Sequence, residues 1–278
     1  MNGPFHPGEL QAQALVGVRA GAAGIRAAMP EQHRVFFGLL HYLLLASLDD
    51  AGAPRVRMLS GAPGFVDSPD PTLLRIAAPT DLVPGSAVGL LGVDFSTRRR
   101  NRVNGVVRAN DGQVLTVAVE QSFGNCPQYI RLRDVTSAAG EQHPLQRADG
   151  LSEAARGVVA GADTFFIATT GGEYGVDVSH RGGPAGFVRI DGDSLSVPDY
   201  QGNRYFNTLG NLLLDARAAL LFVGFDSGDV LELRGRVEII WDVQASAVGG
   251  MAGRRWRFQV EESRLQRAAL PLRWRFIE

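Results

Sequence analysis

The sequence has no lysine, and all 28 of its basic residues are arginine. A phosphate-binding P-loop and a catalytic Schiff base both require a lysine, so this chain contains neither. Cys126 is the only cysteine, which excludes an intrachain disulfide and a zinc site built from cysteines. The histidines show no ligand spacing, so we expect no metal site; they are His6, His33, His41, His143 and His180.

Long apolar runs and a large net charge are also absent. The longest apolar run, Leu39–Leu48, is too short to cross a bilayer and contains His41. A net charge of −1 gives no long-range attraction to nucleic acid or to an acidic membrane, so neither is expected as a partner. The sequence does not open with a basic segment followed by an apolar core, so we expect a cytoplasmic protein.

The segment Pro198–Leu213 carries the most informative pattern in the chain. It opens with turn residues and predicts a helix over about 203–214, with Asn203 as its N-cap. One face is an apolar stripe, formed by Tyr205, Phe206, Leu209, Leu212 and Leu213. The other face carries four polar residues at helical spacing: Arg204, Asn207, Thr208 and Asn211. A helix start beside a guanidinium favours phosphate binding, and the alternative is an ordinary capped amphipathic helix.

The residues upstream strengthen the phosphate interpretation. The segment Asp177–Gly183 follows a predicted strand and supplies Ser179, His180 and Arg181 before two glycines. Glycine in such a position lets a backbone approach a ligand closely. Together with Arg204, these residues have the charge and the donors to neutralise and orient a phosphate monoester.

These motifs resemble those of a known family. The pattern runs through Ser179–Gly183, Gly186–Val188 and Asn207–Leu212, and it is similar to the pyridoxamine 5′-phosphate oxidase-like proteins, the FMN-binding split barrels. Within them it is closest to a two-module branch of predicted flavin-nucleotide-binding proteins. The resemblance extends from Phe5–Glu9 through Gln121–Ile130 to a strand near Trp241. It implies a mainly β chain with peripheral helices, folded as tandem FMN-binding split β-barrels.

An internal repeat supports the tandem arrangement. Gly64 recurs as Gly186 at an offset of 122, whereas Gly105 recurs as Gly235 at an offset of 130. The eight extra positions of the second copy fall at the helix with the polar face, so we expect two barrels but one complete phosphate site. The predicted parts are N-terminal helices (1–40), a first module (41–135), a helical connector (136–160), a second module with the FMN phosphate site (161–245) and a partly helical C-terminal tail (246–278).

The resemblance also predicts which residues hold FMN. Single split barrels of the family bind FMN between two subunits, so the first module is expected to serve as the wall opposite the flavin. The sequence does not decide whether the whole chain also forms a homodimer. The candidates for the phosphate are Ser179, Arg181, Arg204, Asn207 and Thr208, and those for the ribityl chain are Asn203 and Asn211. Pro198, Asp199 and Tyr200 are candidates to line the ring slot, and His180 is a candidate donor to flavin or substrate.

Two further segments have alternative interpretations. The segment Gln121–Tyr129 either meets the flavin ring, with Gln121, Ser122 and Asn125 as donors, or ends a strand and caps a short helix over 122–130. The arginine-rich run Arg98–Arg102 either binds the phosphates of a nicotinamide nucleotide or is a solvated hairpin arm.

The sequence indicates the cofactor more clearly than it indicates the reaction. One interpretation is an oxidoreductase that passes electrons from NAD(P)H through FMN to a small acceptor. This needs no side-chain acid or base, so no catalytic residue is predicted. The other is a non-catalytic protein that binds, stores or senses a flavin, a haem or another tetrapyrrole.

Overall fold

The computed structural model describes residues 3–21, 24–138, 141–241 and 254–277. Within these ranges the chain is mainly β with helices at its periphery, which confirms the predicted fold class. The helices are α1 (Pro7–Leu15), α2 (Glu31–Gly38), α3 (Glu153–Gly161) and α4 (Asn207–Leu214), with a short 3₁₀ turn at Gly172–Tyr174. None of the helices in the described part of the chain has the length and apolar character needed to span a membrane.

The first sheet has seven antiparallel strands. They are β1 (Tyr42–Leu48), β2 (Pro54–Ser60), β3 (Val66–Asp67), β4 (Leu73–Ala77), β5 (Ala87–Asp94), β6 (Arg99–Asn110) and β7 (Val114–Gly124). Their order across the sheet is β2-β1-β5-β6-β7-β4-β3. The hairpin between β6 and β7 turns at Gly112, whose φ of 88° favours glycine.

The second sheet repeats this plan. Its strands are β10 (Thr164–Thr170), β11 (Val176–Gly182), β12 (Arg189–Asp191), β13 (Ser194–Pro198), β14 (Arg217–Val223), β15 (Val230–Ile240) and β16 (Arg255–Gln266), in the order β11-β10-β14-β15-β16-β13-β12. An additional strand, β9 (Gln146–Asp149), pairs with β16. Strands β8 (Arg133–Ser137) and β17 (Leu272–Phe276) pair with each other.

The strand orders show that the predicted repeat is real. Each strand of the first sheet has a counterpart in the second at the same place, with β1 matching β10 and β6 matching β15. Gly105 and Gly235, the pair predicted at an offset of 130, both lie where the strand register shifts. A β-carbon at Gly105 would overlap the carbonyl of Ala118, and one at Gly235 would overlap the carbonyl of Gln259.

Three apolar cores hold the chain together. One fills the first barrel and one fills the second. The third lies between them, where Leu44 and Leu91 of the first module pack with their counterparts Phe166 and Leu221. Strand β5 contacts β11 just as β14 contacts β2, so the two modules pair about an approximate twofold axis within one chain.

Two expectations about secondary structure are wrong. The C-terminal tail was expected to be partly helical, but residues 255–266 and 272–276 are strands. Burial alternates along β16, with Trp256, Phe258 and Val260 inside, and this period of two is the signal of a half-buried strand. Residues 122–130 form no helix, because β7 continues to Gly124 and an irregular segment follows. The boundaries of the domains stay predictions.

The paired bulges predict the effect of a substitution. Gly105→Ala and Gly235→Ala should each lower the free energy of unfolding by about 1–3 kcal/mol, because the added methyl group displaces a strand backbone. Gly157→Ala is the control: it lies in α3 with open space around it and should stabilise by up to about 1 kcal/mol. Urea denaturation measures all three, and equal stability of Gly105→Ala and the wild type would contradict the packing described.

Candidate functional site

Five arginines line a cleft between the two modules. The cleft has a volume of about 410 Å³, which lies within the range of small-molecule sites. It is enclosed by β6 of the first module, by β11 and the start of α4 of the second, and by the segments 125–129 and 199–204. We call it the arginine pocket, after the residues Arg100, Arg102, Arg181, Arg204 and Arg254 that line it.

Arg102 joins the two modules through a buried ion pair. Its Nη1 donates to both carboxylate oxygens of Asp177 at 2.8 Å, and both side chains are 5% exposed. Nη1 also donates to Asn207 Oδ1 at 3.2 Å, and Nη2 donates to Ser179 Oγ at 2.7 Å. The Thr208 hydroxyl donates to the same Oγ at 2.9 Å. Two predicted phosphate ligands, Ser179 and Asn207, thus bind Arg102, and a third, Thr208, binds Ser179, in a network that joins β6, β11 and α4.

Arg100 lies on the same face of β6, two residues earlier. Its Nη1 donates to His180 Nδ1 at 2.9 Å. Burial and the nearby Arg100 and Arg181 hold the pKa of His180 well below its usual value, so the ring is neutral and Nδ1 can accept. Burial, with repulsion from Arg102 and Arg181, lowers the pKa of Arg100 to about 10. These shifts reveal an excess of positive charge in the pocket.

The arginine pocket has more guanidinium groups than carboxylates. Arg102 is paired with Asp177, and Arg254 donates to Asp199 at 3.0 Å. Within the described ranges, the other three arginines have no carboxylate at ion-pair distance; they are Arg100, Arg181 and Arg204. The buried Nε atoms of Arg100 and Arg181 have no hydrogen-bond partner among the described residues. A multiply charged anion would satisfy this arrangement.

Helix α4 begins four residues later than the sequence predicts. Asn203 is not its N-cap, because the helix starts at Asn207 with Phe206 as the capping residue. Asn203 Oδ1 instead accepts from the Tyr205 backbone N–H at 3.1 Å, which forms a turn. Arg204 therefore lies in the loop before the helix and not on its polar face. No side chain caps the first turn, so its backbone N–H groups are free for an anion.

Left-handed backbone conformations concentrate at this pocket. Five non-glycine residues of the described chain have positive φ, and three of them line the pocket: Tyr129 (66°), Arg204 (64°) and Phe206 (62°). Each costs of order 1–3 kcal/mol, and such residues cluster at ligand sites. Because Arg204 and Phe206 have left-handed backbone conformations, a regular helix does not run from residue 203.

Ten of the fourteen predicted cofactor-binding residues line the arginine pocket. They are Asn125, Ser179, His180, Arg181, Asp199, Tyr200, Asn203, Arg204, Asn207 and Thr208. Arg181 and Arg204, which a shared phosphate site requires to be close, lie in this one cleft. Gln121 and Asn211 line a different cavity, and neither cavity is lined by Pro198 or Ser122. Pro198 ends β13, where it lies opposite Arg255.

The segment Gln121–Tyr129 does not act as one cluster. Because Gln121 and Ser122 lie on β7, their side chains point to opposite faces of the sheet. Ser122 is buried, with its Oγ 2.9 Å from His33 Nδ1, whereas Gln121 Nε2 donates to the Pro4 carbonyl at 3.2 Å. Of the three predicted donors, only Asn125 lines the arginine pocket; it lies beyond the end of the strand, and Cys126, Gln128 and Tyr129 line the pocket with it.

The glycines after Arg181 serve the packing of the chain. A β-carbon at Gly182 would overlap the carbonyl of Tyr129, and one at Gly183 would lie 2.6 Å from the Phe187 ring. They therefore allow close approach of neighbouring segments, where the sequence analysis expected close approach of a ligand.

Sequence analysis missed two groups of residues in this region. Arg100 and Arg102 appear in the sequence only as part of a charge run, but strand alternation sends both to one face, and that signal was available. Glu9 has no such signal. It is 4% exposed, accepts from the His6 backbone N–H at 2.9 Å and accepts from the Asn207 side chain. Burial raises its pKa to about 7.

The structure thus defines a class of protein: two fused split barrels with a polar, arginine-lined cleft between them. Residues 151–270 match the family model described as Pyridoxamine 5′-phosphate oxidase. The second module is therefore a pyridoxamine 5′-phosphate oxidase-like split barrel, which confirms the resemblance seen in the sequence. No curated protein matches the sequence.

Several solved structures are similar to parts of the chain. HupZ of Group A Streptococcus shares 15% identity over 34% of this chain and 94% of its own, with a TM-score of 0.28. A FAD-binding protein of Mesorhizobium loti shares 11% identity over 45% and 99%, with a TM-score of 0.33. A Clostridium acetobutylicum protein of the pyridoxinephosphate oxidase family, related to general stress protein 26 of B. subtilis, shares 14% identity over 45% and 92%, with a TM-score of 0.31.

The buried ion pair gives a direct prediction. Arg102→Met should cost about 3–5 kcal/mol of unfolding free energy, because it leaves Asp177 buried without a counter-charge. Adding Asp177→Asn should recover part of this loss. Arg257→Gln, which breaks an exposed pair with Glu238, should change stability by less than about 1 kcal/mol. Thermal denaturation checks the series; a double variant no more stable than Arg102→Met alone would contradict the account.

Proposed function

We propose that the protein binds FMN in the arginine pocket. The observation that carries the proposal is a set of three guanidinium groups around one cleft, contributed by both modules, that have no carboxylate partner in the described part of the chain. A phosphate dianion offers the charge and the acceptor oxygens that these groups need. The family match of residues 151–270 supports a flavin phosphate over other anions.

The residues of the pocket fit the parts of FMN. Arg100, Arg181 and Arg204, with the free N–H groups of α4, would hold the phosphate. The amides of Asn125 and Asn203 lie beside them and would meet the ribityl chain. Tyr200, which stacks on Tyr129 with ring centroids 5.0 Å apart, would form an aromatic wall for the ring system. When bound, FMN supplies the acceptor for hydride transfer.

The approximate twofold axis argues for one FMN per chain. The strand registers place Leu59 where the second module has Arg181, and Val230 where the first has Arg100. The symmetry-related position therefore lacks the guanidinium groups that make the arginine pocket. This agrees with the sequence expectation of two barrels and one phosphate site.

For the reaction, we propose electron transfer from NAD(P)H through FMN to a small acceptor. Arg98, in the turn before β6, and Arg99, the first residue of β6, are exposed near Arg100 and would attract the phosphates of the nucleotide. Haem binding is less supported, because His180 is buried and its Nδ1 accepts from Arg100. A homodimer and a cytoplasmic location remain expectations from the sequence.

A comparison of FMN with riboflavin tests the phosphate site. The wild type should bind FMN at least about 100-fold more tightly than riboflavin, which has no phosphate. Arg100→Gln and Arg204→Ala should each weaken FMN binding about 10- to 100-fold and leave riboflavin binding nearly unchanged. Arg108→Gln, an exposed arginine on the same strand, is the matched control. Fluorescence titration measures all of these affinities, and full FMN affinity in both variants would refute the site.

The visible spectrum of the FMN-loaded protein tests the reaction. Anaerobic NADH or NADPH should bleach the flavin band, and air should restore it. The double variant Arg98→Gln/Arg99→Gln should raise KM for NADPH more than for NADH, because NADPH carries an additional phosphate. If neither nucleotide bleaches the flavin band, the protein binds flavin without catalysing this electron transfer. A Soret band in the purified protein would indicate haem instead.

A further inference from the structure

A second cavity, of about 510 Å³, shares Asn207 with the arginine pocket. Residues 3–10 form one side of it, and the other side is formed by Asn104, Gln121, residues 174–177, Asn207 and Asn211. We call it the amino-terminal pocket. The FMN proposal does not use it.

Hydrogen bonds hold the segment before α1 in place, and this segment forms one wall of the amino-terminal pocket. Gln121 Nε2 donates to the Pro4 carbonyl at 3.2 Å, and the carboxylate of Glu9 accepts from the His6 backbone N–H. Helix α1 packs closely on α4, since a β-carbon at Gly8 would overlap the carbonyl of Gly210. The cavity is therefore bounded by fixed backbone on both sides.

The amino-terminal pocket has the opposite charge preference to the arginine pocket. Its charged lining groups among the described residues are the carboxylates Glu9 and Asp177, and no arginine of the described chain lines it. Asp177 is neutralised by Arg102, so Glu9 is the lining carboxylate that has no arginine partner among the described residues. A phosphorylated ligand would find no cation to bind there.

The unsatisfied atoms of this pocket are mainly acceptors. Asn104 Oδ1 is buried and has no hydrogen-bond partner among the described residues, and the same holds for both ring nitrogens of His6. Burial lowers the pKa of His6, so the ring is neutral and one nitrogen accepts. His6 also stacks on Tyr174, with ring centroids 5.3 Å apart and an interplanar angle of 12°. Aromatic faces of this kind attract cations.

We propose that the amino-terminal pocket binds a small planar organic cation that donates N–H hydrogen bonds. Glu9 supplies the counter-charge, Asn104 Oδ1 accepts a hydrogen bond, and the His6–Tyr174 pair forms the aromatic wall. The ligand class is an amidinium, guanidinium or aromatic ammonium without phosphate.

This assignment predicts a pH dependence with a definite sign. The groups that face Glu9 are His6, Asn207 on α4, Asp177 on β11 and Arg102 on β6. Because burial raises the pKa of Glu9 to about 7, the carboxyl is protonated below that pH and charged above it. The cation should therefore bind more tightly as pH rises from 6 to 8, by roughly tenfold.

Isothermal titration calorimetry with three probes of one shape tests the proposal. Benzamidinium, benzamide and benzoate carry charges of +1, 0 and −1. The flavin-free full chain should bind benzamidinium at pH 8, benzamide at least about tenfold more weakly, and benzoate not measurably. This result is independent of FMN, so it can fail while the FMN proposal stands. Equal affinity for benzamide and benzamidinium would overturn the proposal.

Two variants locate the bound cation. Glu9→Gln should weaken benzamidinium binding about tenfold at pH 8 and abolish the pH dependence. Tyr174→Leu changes a half-exposed residue that the fold does not need, and it should weaken binding several-fold through loss of the aromatic face. Tyr129→Leu, an exposed tyrosine of the arginine pocket, is the matched control and should leave benzamidinium affinity unchanged. Weakening by Tyr129→Leu alone, or unchanged pH dependence in Glu9→Gln, would refute the site.

Discussion

The buried ion pair between Arg102 and Asp177 is the constraint on which the rest of the site depends. Removing the partner of a charge this far from water is strongly destabilising. Asn207 and Ser179 accept further hydrogen bonds from the terminal nitrogens of Arg102, and these bonds hold α4 and β11 against the first module. Breaking the ion pair would therefore affect both cavities, because Asn207 lines the arginine pocket and the amino-terminal pocket.

The two modules differ in charge at the positions related to this pair. The strand registers place Arg55 at the position of Asp177 and Glu232 at that of Arg102, so the signs of charge are exchanged. The exchanged residues do not bridge the modules as an ion pair. Arg55 pairs with Asp81, and Glu232 lies 3.4 Å from Arg234. One side of the axis thus has a buried network beside the arginine pocket, and the other has partly exposed ion pairs, one of which joins Arg234 to Asp49 of the first module.

Local patterns explain what the sequence could predict. The apolar stripe and the repeat are properties of the local sequence, and they predicted a helix close to α4 and two modules that share one plan. The start of α4 could not be predicted, because the left-handed conformations of Arg204 and Phe206 depend on the surrounding fold. The role of Arg100 as a pocket residue was missed for a related reason. Its neighbour His180 belongs to the other module, 80 residues away in the sequence, so their contact depends on how the modules pair.

The two cavities illustrate how one wall can separate opposite charges. Asp177 neutralises Arg102 at that wall, so the positive potential of one cavity comes from Arg100, Arg181 and Arg204, and the negative potential of the other comes from Glu9. Under the FMN proposal, the phosphate would relieve the repulsion among these arginines, and a ligand that binds only the folded state would stabilise that state. The clustered guanidinium groups and the left-handed residues would then be the cost of a site prepared for its ligand.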